Sequence, residues 1–176
     1  MMTHVMVDLE TMAATSDAAV LSAGLVEFNS KEIIRSTEIR CTSSGMRLAG
    51  RKFDTETLEW WLRQSDEARK LLLAEPRHDS IDSFVDAIVD WFPQTKDMKV
   101  WGKGPSFDLV ILRDMMGDRT PWHYFQECCV RTMLLVAKAN QWTEILEKEP
   151  EVAHGAESDA LHQARQVQEV MRKVRP

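Results

Sequence analysis

Residues 4–11, His4-Val5-Met6-Val7-Asp8-Leu9-Glu10-Thr11, set the strongest limit on how this chain can fold. The run is apolar and closes on two acids, and its pattern predicts a strand over about 4–9. Side chains two apart on a strand share a face, so Asp8 and Glu10 point the same way. Two carboxylates side by side in a buried strand repel each other and lose hydration. A strand end that has reached solvent relieves both costs. A cation between the acids does the same, and hard divalent ions such as Mg²⁺ and Mn²⁺ prefer carboxylate oxygen. The pair alone does not decide between these two explanations. The rest of the chain does.

Val20–Phe28 and Ile33–Arg40 are two more β-rich runs, joined by Asn29-Ser30-Lys31, and predict a hairpin. The first three strands then form an antiparallel meander. Thr42–Lys52 is polar and contains glycine, and reads as a loop. Asp54 is a good N-cap for a helix carrying Leu58, Trp61 and Leu62. Ser65 starts a second helix, which Pro76 ends. Ile81, Phe84, Val85, Ile88, Trp91 and Phe92 fall on one helical stripe, capped by Asp79 or Ser80 and stopped by Pro93. Met98–Trp101 is a short strand, followed by the Gly102–Pro105 turn and a helix over 107–116. Another strand lies within 121–130, and 131–139 is helical. From Ser158 onward Ala160, Ala164, Val167, Met171 and Val174 mark the last helix. A meander followed by alternating helices and short strands predicts an α/β layer fold, with a mixed sheet and helices on both faces.

A chain of 176 residues fits one domain, 1–176, with a substantial core. No apolar run approaches the ~20 residues that span a bilayer. No basic-then-apolar leader precedes the first strand, so cytoplasmic residence is expected. Three cysteines, two of them adjacent, suit neither a disulfide framework nor a Cys-x-x-Cys metal site. The net charge of −6 argues against a protein that coats nucleic acid through a broad basic surface. It is compatible with an enzyme that grips one strand end.

Two further pieces bear on the Asp8/Glu10 question. Asp108 sits at the start of a helix, in Gly104-Pro105-Ser106-Phe107-Asp108. His154-Gly155-Ala156-Glu157-Ser158-Asp159-Ala160 opens the last helix. Each acid alone is explained by the helix dipole, which favours a carboxylate in the first turn. Their order and intervals resemble the DnaQ-like 3′–5′ exonucleases: Asp8-x-Glu10, Phe107-Asp108, and His154-x-Ala156-x-x-Asp159-Ala160. The histidine five residues before the last aspartate matches the DEDDh subtype. Leu58-x-Trp60-Trp61, Trp101-Gly102-x-Gly104 and Arg131-Thr132-Met133 are similar to the small RNase T-like exoribonuclease and exonuclease VIII-like domains. Ala13 and Leu109 depart from residues common in that family, glycine and asparagine, and leave the acids intact.

The resemblance implies a ribonuclease-H-like fold: a five-stranded mixed sheet flanked by helices. It implies a metal-dependent 3′–5′ exonuclease acting on single-stranded 3′ ends of RNA or DNA and releasing 5′-mononucleotides. It also implies two divalent cations, Mg²⁺ or Mn²⁺, and makes a homodimer plausible. Asp8, Glu10, Asp108 and Asp159 are then the metal ligands. The chemistry agrees, because two dications can stabilise both the entering and leaving oxygens of a phosphodiester. His154 is the expected general base, since an imidazole with a pKa of ~6.5 takes a proton near neutral pH. Met12 is a candidate wedge against the terminal base and Arg131 a candidate phosphate contact. For both, ordinary packing or a surface role remains the alternative. A non-catalytic binding module that kept the fold is the competing class.

Overall fold

A computed structural model of the chain describes residues 2–72, 74–75, 78–146 and 155–174. Strands β1 (Thr3–Thr11), β2 (Val20–Phe28), β3 (Ile33–Arg40), β4 (Met98–Gly102) and β5 (Glu127–Cys129) form one sheet in the order β3-β2-β1-β4-β5. β1–β2 and β2–β3 pair antiparallel, and β1–β4 and β4–β5 pair parallel. The expected meander and mixed sheet are therefore both present.

Alternation along β1 divides the molecule into two layers. Val5, Val7 and Leu9 enter a large core with Phe84, Val85 and Ile88 of α4 (Ile81–Trp91). Leu109, Ile111 and Leu112 of α5 (Asp108–Met116) complete that side. Met6 faces the other way and packs with Trp101, Val130 and the small stripe Ala160, Ala164 and Val167 of α8 (Ala156–Val174). Asp8 and Glu10 follow Met6 at intervals of two, so they face the α8 side.

Several elements differ from the sequence reading. β1 runs to Thr11, because β2 continues the ladder through Asp8↔Gly24 and Glu10↔Ser22. The two acids therefore lie within a paired strand and not at its frayed end. The segment read as a loop over 42–52 contains a short helix, α1 (Ser43–Leu48), capped by Thr42 Oγ1 accepting from the Gly45 N–H at 3.0 Å. Burial of Met46 anchors it, and weak local propensity hid it. α2 (Thr55–Leu62) is capped by Asp54 as expected, and α3 (Asp66–Leu72) follows Ser65. Pro76, which was expected to end that helix, lies outside the described residues. α4 takes Ser80 and not Asp79 as its cap. α6 (Val130–Ala139) and α7 (Thr143–Leu146) precede 147–154, which are outside the described residues. α8 begins two residues before Ser158, at Ala156. Among the described residues no helix is long and apolar enough to cross a membrane.

Candidate active site

The position of α8 is fixed by a glycine. Gly24 is the β2 partner of Asp8, and a Cβ built on it would lie 2.0 Å from the Ala156 carbonyl oxygen. The backbone that starts α8 therefore rests directly on the sheet beside Asp8. Ser36 Oγ donates to Glu157 Oε1 at 2.6 Å and ties the same end to β3. Asp159 is thereby carried to the Asp8–Glu10 row. One carboxylate oxygen each from Asp8, Glu10 and Asp159 lie within 4.8 Å of one another.

Asp108 arrives by a different route. The parallel pairing of β1 with β4 ends at Met6↔Trp101, and β4 closes at Gly102. Beyond that point the Leu9 N–H donates instead to Asp108 Oδ1, at 3.3 Å. The carboxylate takes the place of a strand that has turned away. Asp108 is 6% exposed, and a Cβ on Gly102 would sit 3.2 Å from its Oδ2.

The electrostatics of this cluster are those of crowded, poorly hydrated acids. Burial raises the Asp8 pKa well above the carboxylate range; the charges of Asp108 and Asp159 add to this, and the Gln163 hydrogen bond and Lys103 oppose it. Burial, then Asp8, Asp159, Glu38 and Asp108, push Glu10 up to about 9. Burial raises Asp108 to about 6 against the Leu9 N–H, its own N–H, the Arg131 guanidinium and Gly104. Without a counter-charge Glu10 therefore keeps its proton at neutral pH, and Asp8 is pushed the same way. The donor set is all carboxylate oxygen, converging from β1 and the first turn of α8, with Asp108 of α5 alongside. It fits a hard divalent cation, which would displace those protons.

A cleft of about 490 Å³ opens from Glu10. Met12, Leu21, Phe53 and Leu58 form its apolar wall, and Ser22, Glu38 and Arg40 its polar one. Glu38 and Arg40 pair at 2.7 Å across consecutive same-face positions of β3. Met12 is 7% exposed and pinned through its backbone: its N–H donates to Ala19 at 2.9 Å, and its carbonyl accepts from Asp54 at 2.7 Å. Trp61, the buried member of the tryptophan pair, donates Nε1 to the Thr11 carbonyl at 3.0 Å. Arg131 is exposed near the start of α6; a Cβ on Gly104 would meet its guanidinium at 2.5 Å.

The four acids expected from the sequence are thus gathered at one end of the sheet, with Met12 in the adjoining cleft wall and Arg131 near Asp108. His154 lies outside the described residues. Gln163, Lys103, Glu38 and Arg40 went unread. Alternation on β3 places Ser36, Glu38 and Arg40 on the face that carries Asp8 and Glu10, which was a usable signal.

The family model of the 3′–5′ exoribonuclease Rv2179c-like domain matches residues 3–171. The chain belongs to this family. As an Rv2179c-like domain it is 30% identical over 124 residues to the exodeoxyribonuclease of Enterobacteria phage T4. That match covers 64% of the chain and 55% of the phage protein, so the domain spans about half the length of this relative. Among solved structures it resembles the nuclease domain of 3′hExo, a DEDDh family member bound to rAMP (TM-score 0.63, 12% identity, 98% of this chain and 92% of that one). Exonuclease I from Methylocaldum szegediense gives a TM-score of 0.68 at 13% identity, over 100% of this chain and 41% of that one. Cell-death related nuclease 4 gives 0.63 at 14%, over 98% and 64%. These likenesses establish the ribonuclease-H-like fold of the DEDDh exonucleases.

Proposed function

We propose that this Rv2179c-like domain is a metal-dependent 3′–5′ exonuclease that shortens single-stranded RNA or DNA from its 3′ end. The convergence of Asp8, Glu10 and Asp159 oxygens within 4.8 Å, with Asp108 alongside, carries the reading. Acids brought this close from distant parts of a chain cost stability unless a cation joins them. Asp8, Glu10, Asp108 and Asp159 would hold two divalent cations, Mg²⁺ or Mn²⁺. Bound there, the cations would supply charge relief at the phosphate and at the attacking and leaving oxygens.

The chain's own side chains do the rest. His154, as neutral imidazole, takes the proton of the attacking water. Its place in the sequence, five residues before Asp159, supports this role. Attack at phosphorus breaks the bond to O3′ of the shortened strand, so the phosphate leaves on a 5′-mononucleotide. Met12, with Phe53 and Leu58, offers the terminal base an apolar wall that excludes water. Arg131 stands where a backbone phosphate could pair with it.

The test uses single-stranded RNA and DNA, labelled at either end, with Mg²⁺, Mn²⁺ or EDTA. Stepwise shortening from the 3′ end only with metal is the expected result. Binding without cleavage would leave the non-catalytic module as the reading. His154→Ala is expected to lower turnover about 10²- to 10⁴-fold while Mn²⁺ still binds. An unchanged rate would remove it as the base.

A further inference from the structure

The side chain that touches Asp8 is a glutamine. Gln163 lies four residues after Asp159 on α8, so the two share a helix face toward β1. It is 2% exposed, and its Nε2 donates to Asp8 Oδ1 at 2.7 Å. Its Oε1 is buried and has no hydrogen-bond partner among the described residues. An unpaired buried acceptor costs free energy, and a leucine or methionine would fill similar space without that cost. Packing therefore does not explain a glutamine here. Turning the amide over would set its oxygen against Asp8 once that acid is deprotonated to hold a cation, and lose the hydrogen bond.

Gln166, one turn along, provides the contrast. Its Oε1 is also without a partner among the described residues, but its Nε2 donates to the Ile145 carbonyl at 3.0 Å and ties α8 to α7. That bond joins two elements of the fold. The Gln163 bond joins the fold to one oxygen of the acid cluster.

We infer that Gln163 is a positioning residue: it fixes the Asp8 carboxylate in the pose that joins Glu10 and Asp159, at the expense of the domain's own stability. This rests on the nuclease reading above. Groups that orient a metal ligand from behind set its affinity, and losing one weakens metal binding about 10- to 100-fold. A metal-bound Asp8 is an ionised carboxylate, and toward it only an N–H donor serves.

Titration calorimetry with Mn²⁺ and thermal melts in EDTA separate the roles in the full chain, using Gln163→Leu, Gln163→Met and Gln166→Leu. The expected result for both Gln163 variants is a 10- to 100-fold weaker Mn²⁺ affinity with a metal-free melting temperature equal to wild type or higher. Gln166→Leu should do the reverse, lowering the melting temperature and leaving Mn²⁺ affinity unchanged. Unchanged Mn²⁺ affinity in the Gln163 variants overturns the inference. So does a lowered metal-free melting temperature or loss of folding, because either makes Gln163 a support of the fold. A wild-type chain that binds no Mn²⁺ overturns the nuclease reading and this inference together.

Discussion

The two faces of β1 belong to the same nine residues and have been shaped to opposite ends. On one face Val5, Val7 and Leu9 meet a large apolar core. On the other, Met6 starts an equally dry contact with Trp101 and the alanines of α8, but Asp8 and Glu10 then break it. Burial raises the pKa of both acids. The first face does what folding rewards. The second keeps charges together where hydration is poor, and the cost is tolerable only if something outside the chain offsets it. The contrast shows that a strand's period of two lets one element serve stability and chemistry at once, each on its own side.

Asparagine at Asp8 or Asp159 gives the widest split between these faces. Either substitution removes a charge from the proposed metal site and also relieves repulsion within the cluster. Exonuclease turnover with Mn²⁺ should fall about a thousandfold or more, equivalent to ~4 kcal/mol. The melting temperature in EDTA should hold or rise. Leu25→Ala, opposite Val7 on the packed face, should do the converse. A cavity there costs about 2–5 kcal/mol of stability and leaves Mn²⁺ affinity unchanged. Equal effects of the two kinds of substitution on metal binding would erase the distinction between the faces.

How far the sequence disclosed this depends on the range of the interactions involved. The bounds of β2 and β3 follow from alternation and an Asn-Ser turn, which are local. The four acids are legible because their order and spacing resemble those of the DEDDh exonucleases; local rules alone put Asp8 and Glu10 on one strand row and explain Asp108 and Asp159 as first-turn acids. α1 was missed because Ser43, Ser44 and Gly45 are poor helix formers. What holds it is tertiary, the burial of Met46 and a Gly45 so close to the Asp79 carbonyl that a Cβ would come within 2.5 Å. Gln163 was missed for the same reason. On α8 it reads as one polar residue beside an apolar stripe, and only the packing of α8 on β1 buries it. Glu38 and Arg40 went unread because the cleft they line is closed by residues of α2 and α3, which are distant from them in sequence.

The close approach of α8 sharpens the comparison at a site without charge. Gly24→Ala places a methyl group 2.0 Å from the Ala156 carbonyl oxygen, so the start of α8 must move. Overpacking of this kind costs about 1–3 kcal/mol. Because Asp159 moves with the helix, Mn²⁺ affinity should fall as well, which separates this substitution from Leu25→Ala. A stable Gly24→Ala protein with unaltered metal binding would mean that α8 does not need this contact to present Asp159.

The dependence of stability on pH tests the same comparison without any substitution. Glu10 rises from an ordinary 4.5 to about 9, and Asp108 from 3.8 to about 6. An acid whose pKa is higher in the folded chain holds its proton there while the unfolded chain has released it. The folded state then binds more protons, so stability falls with rising pH across that window. For Asp108 the fall lies between about pH 4 and 6, and for Glu10 between about 4.5 and 9. In EDTA the melting temperature should therefore decline from pH 5 to pH 9. With Mn²⁺ present the slope should flatten or reverse, because cations bind the deprotonated acids and binding releases protons. The gap between the two melting curves should widen toward high pH. In an Asp8→Asn protein it should narrow, since Asp8 is the largest neighbouring charge acting on Glu10. A gap that is constant with pH would show that the acids are already ionised without metal. The acidic face of β1 would then carry no electrostatic cost for a cation to relieve.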